Sequence, residues 1–473
     1  MKKTGTLVLY GLLLMLTISL HAEVKLSSIF SDNMVFQQQK PIRIWGWAGV
    51  NEKVEVSFLM QKKSVKADKN GNWIVEFAPQ TYGGPYNLQV KGKTNTILLE
   101  NILIGEVWLC SGQSNMEWTL KKGINNATVE ANTANYPQIR SFNVKQALNA
   151  EVQSNLNGKW EVCTPSTVLD FSAVAYFFAR KLNTELGIPV GIINSSWGGT
   201  DIETWMSDEA FNSLPEHFSS RYANLGISDF DKFMKEGAER KTQFYTAMNS
   251  EPGIPQKWFD PITDVSSWQK MAIPQLWEKV LPGVDGIIWF RLDVTLPKED
   301  SGKPAVIQLG PIDDNDVTWI NGKQVGETEG YSLNRQYAIP ENVLQKGTNT
   351  IVVKVTDTYG GGGFYGKPEN MYLEVNGKKY SLSGDWLYKE AVTNKQFNYT
   401  EVTPNMKSSL LYNAMINPIL NFPIKGVIWY QGENNVGNAY DYRTLFPTMI
   451  NDWRTKWGYD FPFYCLRLAN FLA

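Results

Sequence analysis

Three short apolar runs lie far apart in this chain, and each empties into a small polar loop. Val107–Leu109 leads into Gly112-Gln113-Ser114-Asn115-Met116. Val190–Ile193 leads into Asn194-Ser195-Ser196-Trp197-Gly198-Gly199-Thr200. Val427–Tyr430 leads into Gln431-Gly432-Glu433-Asn434-Asn435. Runs this short, bounded by turn residues, read as buried strands. Before the second run lies a helical stretch from Ser172, a capping residue, to Gly187, a helix-ending one. Strand, helix, strand predicts a parallel sheet with right-handed crossovers. In such an open sheet the loops leaving the strands' carboxyl ends meet at one crevice. The pattern therefore predicts an α/β layer with a polar site at its strand tips.

The first loop presents one hydroxyl, Ser114, between a strand end and a helix start. Free backbone N–H groups at a helix start stabilise negative charge. An acyl-transfer serine needs such a place, because its transition state carries an oxyanion. An ordinary turn with a capping serine has the same five letters.

The three motifs together resemble the sialate O-acetylesterase family of the SGNH (GDSL-like) hydrolase superfamily. The residues that carry the resemblance are Gly112–Met116, Trp197–Thr200 with Glu203 and Trp205, and Trp429–Glu433. The resemblance implies an SGNH-like parallel sheet of flavodoxin-like, three-layer form. It implies Ser114 as nucleophile and removal of O-acetyl groups from sialic acid or other acetylated glycans. A backbone N–H of Gly198 or Gly199, with that of Ser114, would line the oxyanion hole. Gln431 or Asn434 would supply a side-chain donor. Asn115 and Glu433 would support the loops.

One part of the family's pattern is missing. Its enzymes use a Ser-His-Asp triad whose Asp and His follow the Gln-Gly-Glu motif. This chain has two histidines, His21 and His217, and both precede that motif. The expectation is a chain cut short before the Asp/His block, with little esterase activity. His217, in Leu214-Pro-Glu-His-Phe218, is expected to be exposed or structural rather than a base. Two other readings stay open. One is an inactive carbohydrate-binding or scaffold protein that keeps the esterase fold. The other is paired-carboxylate chemistry by Asp201, Glu203 and Glu433.

Residues 1–22 read as a secretory signal: Lys2 and Lys3, an apolar core from Leu7 to Leu20, then Ala22. That predicts a secreted or periplasmic protein with no membrane span. A formal net charge of −2, with 19% charged residues, supplies no basic field for nucleic acid. Three cysteines make no disulfide framework; Cys110 and Cys465 sit in apolar runs and are expected to be buried, inert thiols. No Cys/His metal spacing appears, so neither metal nor cofactor is expected. Oligomeric state has no signal.

The remaining segments predict β structure. Residues 23–100 carry short alternating strands, such as Ile42–Trp47 and Trp73–Phe77, expected to form an immunoglobulin-like sandwich. Residues 101–205 and 406–473 are assigned to the hydrolase layer. Residues 206–405 interrupt it with a charged helical stretch, Asp229 to Met248. Short strands follow, with Asn321-Gly322 and Asn376-Gly377 as hairpin turns. Within them, about residues 255–395, a galactose-binding-like jelly-roll sandwich is expected, with a mobile or plain surface loop at Gly360–Gly366.

Overall fold

The computed structural model describes residues 23–223 and 229–468. The signal reading of residues 1–22, and His21 with it, lies outside them. The chain divides into two compact units, residues 1–226 with 404–473, and residues 227–403.

The first unit is built on one strand, Thr96–Gly112. Its first six residues alternate between exposed and half-buried; the last eleven are all buried. The pattern changes because the neighbours change. The first part pairs antiparallel with Gly83–Lys91. The second pairs parallel with Val190–Ser196 on one side and Gly426–Tyr430 on the other. A parallel strand covered on both faces must be apolar throughout. The strand also pairs with Val35–Gln37, in parallel, at Leu103–Gly105. One continuous strand thus runs from the β-rich first hundred residues into the α/β layer.

That layer continues outward to Tyr136–Asn143, parallel, and to Trp160–Cys163, antiparallel at the edge. On the opposite side Phe463–Cys465 extends it in parallel. The helix Ala173–Leu186 starts at Ser172, whose hydroxyl accepts the Ala175 N–H, and ends at Gly187 with φ 65°. The helix Tyr442–Trp457 likewise ends at a left-handed glycine, Gly458. Where the chain returns to this unit, the backbone is not α-helical. Tyr412–Ile416 is a π-helical turn followed by a 3-10 turn, Asn417–Ile419. Pro418 carries no N–H to continue an α-helix.

The second unit begins with the helix Phe230–Met248, capped by the Asp229 side chain. Two six-stranded sheets follow, every described pairing antiparallel. Ile288, Phe290, Ile351 and Val353 of one sheet share an apolar cluster with Ile307, Leu309, Phe364 and Leu373 of the other. On the first sheet's far face, Trp289 and Trp319 stack with Trp258 and Trp268 nearby. Asn321-Gly322 and Asn376-Gly377 both take positive φ between paired strands, as a two-residue hairpin requires. No helix among the described residues is long and apolar enough to cross a membrane.

Cysteine placement departs from the sequence reading at one position. Cys110 and Cys163 are buried; burial lifts the Cys110 thiol far above its usual range and pushes Cys163 up to about 12. Cys465 is exposed. It sits on the strand Phe463–Cys465, which pairs on one side only among the described residues.

Candidate active site

The three loops meet, and the reason is local. Gly112 ends the central strand at φ 134°, and a Cβ there would collide with the Tyr430 carbonyl. A glycine lets the two strand tips touch. The Gln113 N–H then donates to the Tyr430 oxygen at 2.9 Å, and the Trp197 N–H to the Gly112 oxygen at 3.0 Å. Ser114 follows at once as the first residue of a one-turn helix, Ser114–Glu117, and is exposed. Gly198 lies against it: a Cβ on Gly198 would stand 3.3 Å from the Ser114 Cβ.

Side-chain amides tie the loops together. Gln113, 3% exposed, accepts the Gly432 and Asn434 N–H groups at 3.2 and 3.3 Å. Asn435, 1% exposed, accepts from Ile202 N–H and Gln431 and donates to Glu203 at 3.0 Å. Asn405 accepts the Asp201 N–H and donates to the Gly199 carbonyl, both at 2.8 Å. Gln113 lies inside the first motif and Asn435 closes the third loop, but Asn405 lies in none of the motifs. Their importance arises only when distant loops come together.

The expected oxyanion donors divide. The Gly198 N–H is not available, because it donates to the Glu117 carboxylate at 2.6 Å. Glu117 sits one turn after Ser114 on the same short helix, which brings its carboxylate back over the turn. Its other oxygen meets Lys122 at 3.1 Å. Gln431 is not available either. It is 4% exposed, donates to the Thr200 carbonyl and Asn435, and accepts from the Tyr442 hydroxyl at 2.9 Å. Burial raises the Tyr442 phenol above its usual value, keeping it a neutral donor. Gln431 is a brace between loops. The N–H groups of Ser114 and Gly199 have no hydrogen-bond partner among the described residues. Asn434 is exposed and gives one amide N–H to Asp201 at 2.6 Å, leaving the second. Asn115 donates to Glu433 at 2.6 Å, and the second Glu433 oxygen is buried without a partner.

No imidazole adjoins Ser114 among the described residues. His217 is exposed on the helix Glu216–Ala223, with its Nε2 3.9 Å from Asp441. Asp201 and Glu203 are each 2% exposed and held within the loop network. Carboxylates bound into a scaffold in this way do not face each other across a substrate, so the paired-carboxylate reading finds no support. Among the described residues no group of three or more His, Cys, Asp or Glu is placed to hold a metal.

A family model described as carbohydrate esterase, sialic acid-specific acetylesterase, matches residues 104–226, the stretch holding Ser114 and Gly198–Thr200. The sialate O-acetylesterase of Mus musculus is 30% identical over 472 residues, covering 94% of this chain and 60% of that protein. That of Rattus norvegicus is 32% identical over 285 residues, 55% of this chain and 51% of that protein. The chain is thus similar to sialate O-acetylesterases over most of its own length. It spans about half the length of the curated relatives it matches. A carbohydrate acetylesterase from Xanthomonas citri shares its fold, with a TM-score of 0.51 at 23% identity over 94% of this chain and 60% of that one. In this chain the stretch matched by the family model supplies Ser114 and the Gly198–Gly199 turn. Residues beyond it, Asn405, Gln431 and Asn435, hold that turn in place.

Proposed function

We propose that the chain is a serine carbohydrate esterase removing O-acetyl groups from sialic acid or other acetylated glycans. Ser114 Oγ attacks the acetyl carbonyl, and the ester C–O bond then breaks to release the sugar hydroxyl and leave an acetyl-serine. Water attacks that acetyl group in turn, releasing acetate. The tetrahedral oxyanion of each step rests on the N–H groups of Ser114 and Gly199, with Asn434 as side-chain donor. The observation that carries this reading is the exposed Ser114 at the central strand's tip, with the Gly198–Gly199 turn against it. The parallel layer is read as an SGNH-type sheet, the first hundred residues as an immunoglobulin-like sandwich and the second unit as a jelly roll. Residues 1–22 are read as an export signal.

A serine needs a base to lose its proton near neutral pH. With none beside Ser114 among the described residues, turnover is expected to be low, by a factor of about 10⁴ against a complete triad. The same observation favours a second reading, a glycan-binding protein that keeps the esterase fold. Acetate release from 4-nitrophenyl acetate and O-acetylated sialic acid separates the two. A slow rate abolished by Ser114→Ala supports the esterase. A rate that survives Ser114→Ala overturns it.

A further inference from the structure

The first unit holds a second cavity, of about 460 Å³, built on the outer face of a three-stranded sheet. The strand Ile42–Trp47 pairs antiparallel with Asn72–Phe77, with Trp47 opposite Asn72 and Trp45 opposite Ile74. Directly paired residues share a face. Trp45, Trp47, Asn72 and Ile74 therefore share one face, with Ile44, Trp73 and Val75 on the other; Trp45 also packs into the same apolar cluster as these three, and the Trp73 ring reaches the cavity. All four of the first set line the cavity. Ile74 is 47% exposed and Trp47 half-buried. Trp45 is 7% exposed, yet its indole N–H donates to nothing among the described residues and is not among their sealed polar atoms.

The opposite wall comes from the α/β part of the same unit: Ser154, Asn417, Pro418 and Asn421. The Ser154 hydroxyl and the Asn421 amide have no hydrogen-bond partner among the described residues, and Asn417 uses only its N–H, on Gln153. Lys66 and Asp68 are the charged lining residues, one of each sign. Asp68 is already engaged by the N–H groups of Asn70 and Asn72, which hold its carboxyl below the usual range.

The volume suits a small ligand, and the lining joins flat aromatic surface to a few polar groups. An amide donates and accepts at once, as does a hydroxyl, so the polar wall matches a ligand that carries both functions. An apolar peptide would leave these amides unpaired, and an anion would meet Lys66 alone. Pyranose rings offer an apolar face and a rim of hydroxyls. We propose that this cavity is a glycan-binding site for a neutral oligosaccharide, with Trp47 as the stacking platform and Asn72, Asn417 and Asn421 reading the hydroxyls. The site is separate from Ser114 and rests on the proposed function only for its choice of glycans as ligand class.

Titration calorimetry on the full chain tests it, with xylohexaose, cellohexaose and a sialyl-lactose as probes. One of the two neutral hexasaccharides is expected to bind. Trp47→Ala should weaken that binding about tenfold or more, and Asn421→Ala, at an exposed position that does not threaten folding, about threefold or more. Ser114→Ala should leave it unchanged, and Trp47→Ala should leave 4-nitrophenyl acetate turnover unchanged. Trp47→Phe, which keeps an aromatic face, should restore most of the affinity. Failure of both neutral probes to bind at millimolar concentration overturns the site, as does binding indifferent to both Trp47→Ala and Asn421→Ala. Binding of sialyl-lactose alone overturns the neutral-ligand assignment. The glycan-binding outcomes do not depend on ester cleavage, so the two proposals stand or fall separately.

Discussion

The two units bury polar groups for different ends. In the first, the buried amides of Gln113, Gln431 and Asn435 hold backbone loops, and their bonds run between segments far apart in sequence. In the second, buried amides such as Asn349 and Asn394 are accompanied by an ion pair with no exposure at all. Asp316 and Arg335, both without exposure, pair at 2.9 Å, and the Tyr337 hydroxyl donates to the same carboxylate at 2.8 Å. The remaining Arg335 donors reach the carbonyls of Gly330, Leu333 and Asp314. A buried neutral amide that loses a partner costs about 1–3 kcal/mol. A buried charge loses heavily. The first arrangement suits loops around a site, and the second suits a framework with one allowed geometry.

The sharpest way to break this contrast is to remove half of the ion pair. Arg335→Met leaves Asp316 buried and uncompensated and should cost about 3–5 kcal/mol of stability. Urea denaturation followed by the second unit's tryptophans reads it. Adding Asp316→Leu should recover much of the loss, because replacing both charges with apolar groups removes the penalty. A double variant no better than the single one would mean the damage is lost packing, and the contrast with the first unit would fail.

A smaller effect is expected at the amide hub. Asn435→Ala removes acceptors for Ile202 and Gln431 and a donor for Glu203, all buried. A stability loss of about 1–3 kcal/mol is expected. Any esterase rate should fall further than stability alone explains, because Thr200 and the turn before it lose their brace through Gln431. Equal loss of rate and folded fraction would reduce Asn435 to a structural residue.

How much of this was legible from sequence follows the same division. The helix from Ala173 to Leu186 was, because Ser172 and Gly187 act within a turn of it. The hairpins at Asn321 and Asn376 were, because two adjacent residues set the φ angles. Ser114 at a strand tip was, because Gly112 fixes the turn locally. The individual donors were not. Gly198 looks like a free N–H until the short helix carries Glu117 onto it. Gln431 looks like a catalytic amide until folding supplies Thr200, Asn435 and Tyr442. Cys465 looks buried because its neighbours are apolar, but exposure depends on which strands flank it. In each case the deciding partner lies outside the window in which periodicity and turn chemistry operate.

The smallest effect distinguishes the units by pH. Asp357 lies in the second unit, with no exposure; one oxygen accepts the Tyr359 N–H at 3.0 Å and the other is buried without a partner. Burial, with Asp285, Asp314 and Glu278 adding negative charge, pushes its carboxyl up to about 8. The folded form therefore holds a proton that the unfolded chain releases near the ordinary carboxylate value. Between those two values the folded state binds more protons, so stability is full at acid pH and falls as pH rises through about 8. Asp357→Asn keeps the acceptor for Tyr359 and cannot ionise. Its melting-temperature advantage over the parent should grow from pH 5 to pH 9, where it should reach a few degrees, read by thermal melts at both. A difference of equal size at both pH values would assign the gain to packing rather than to a buried charge.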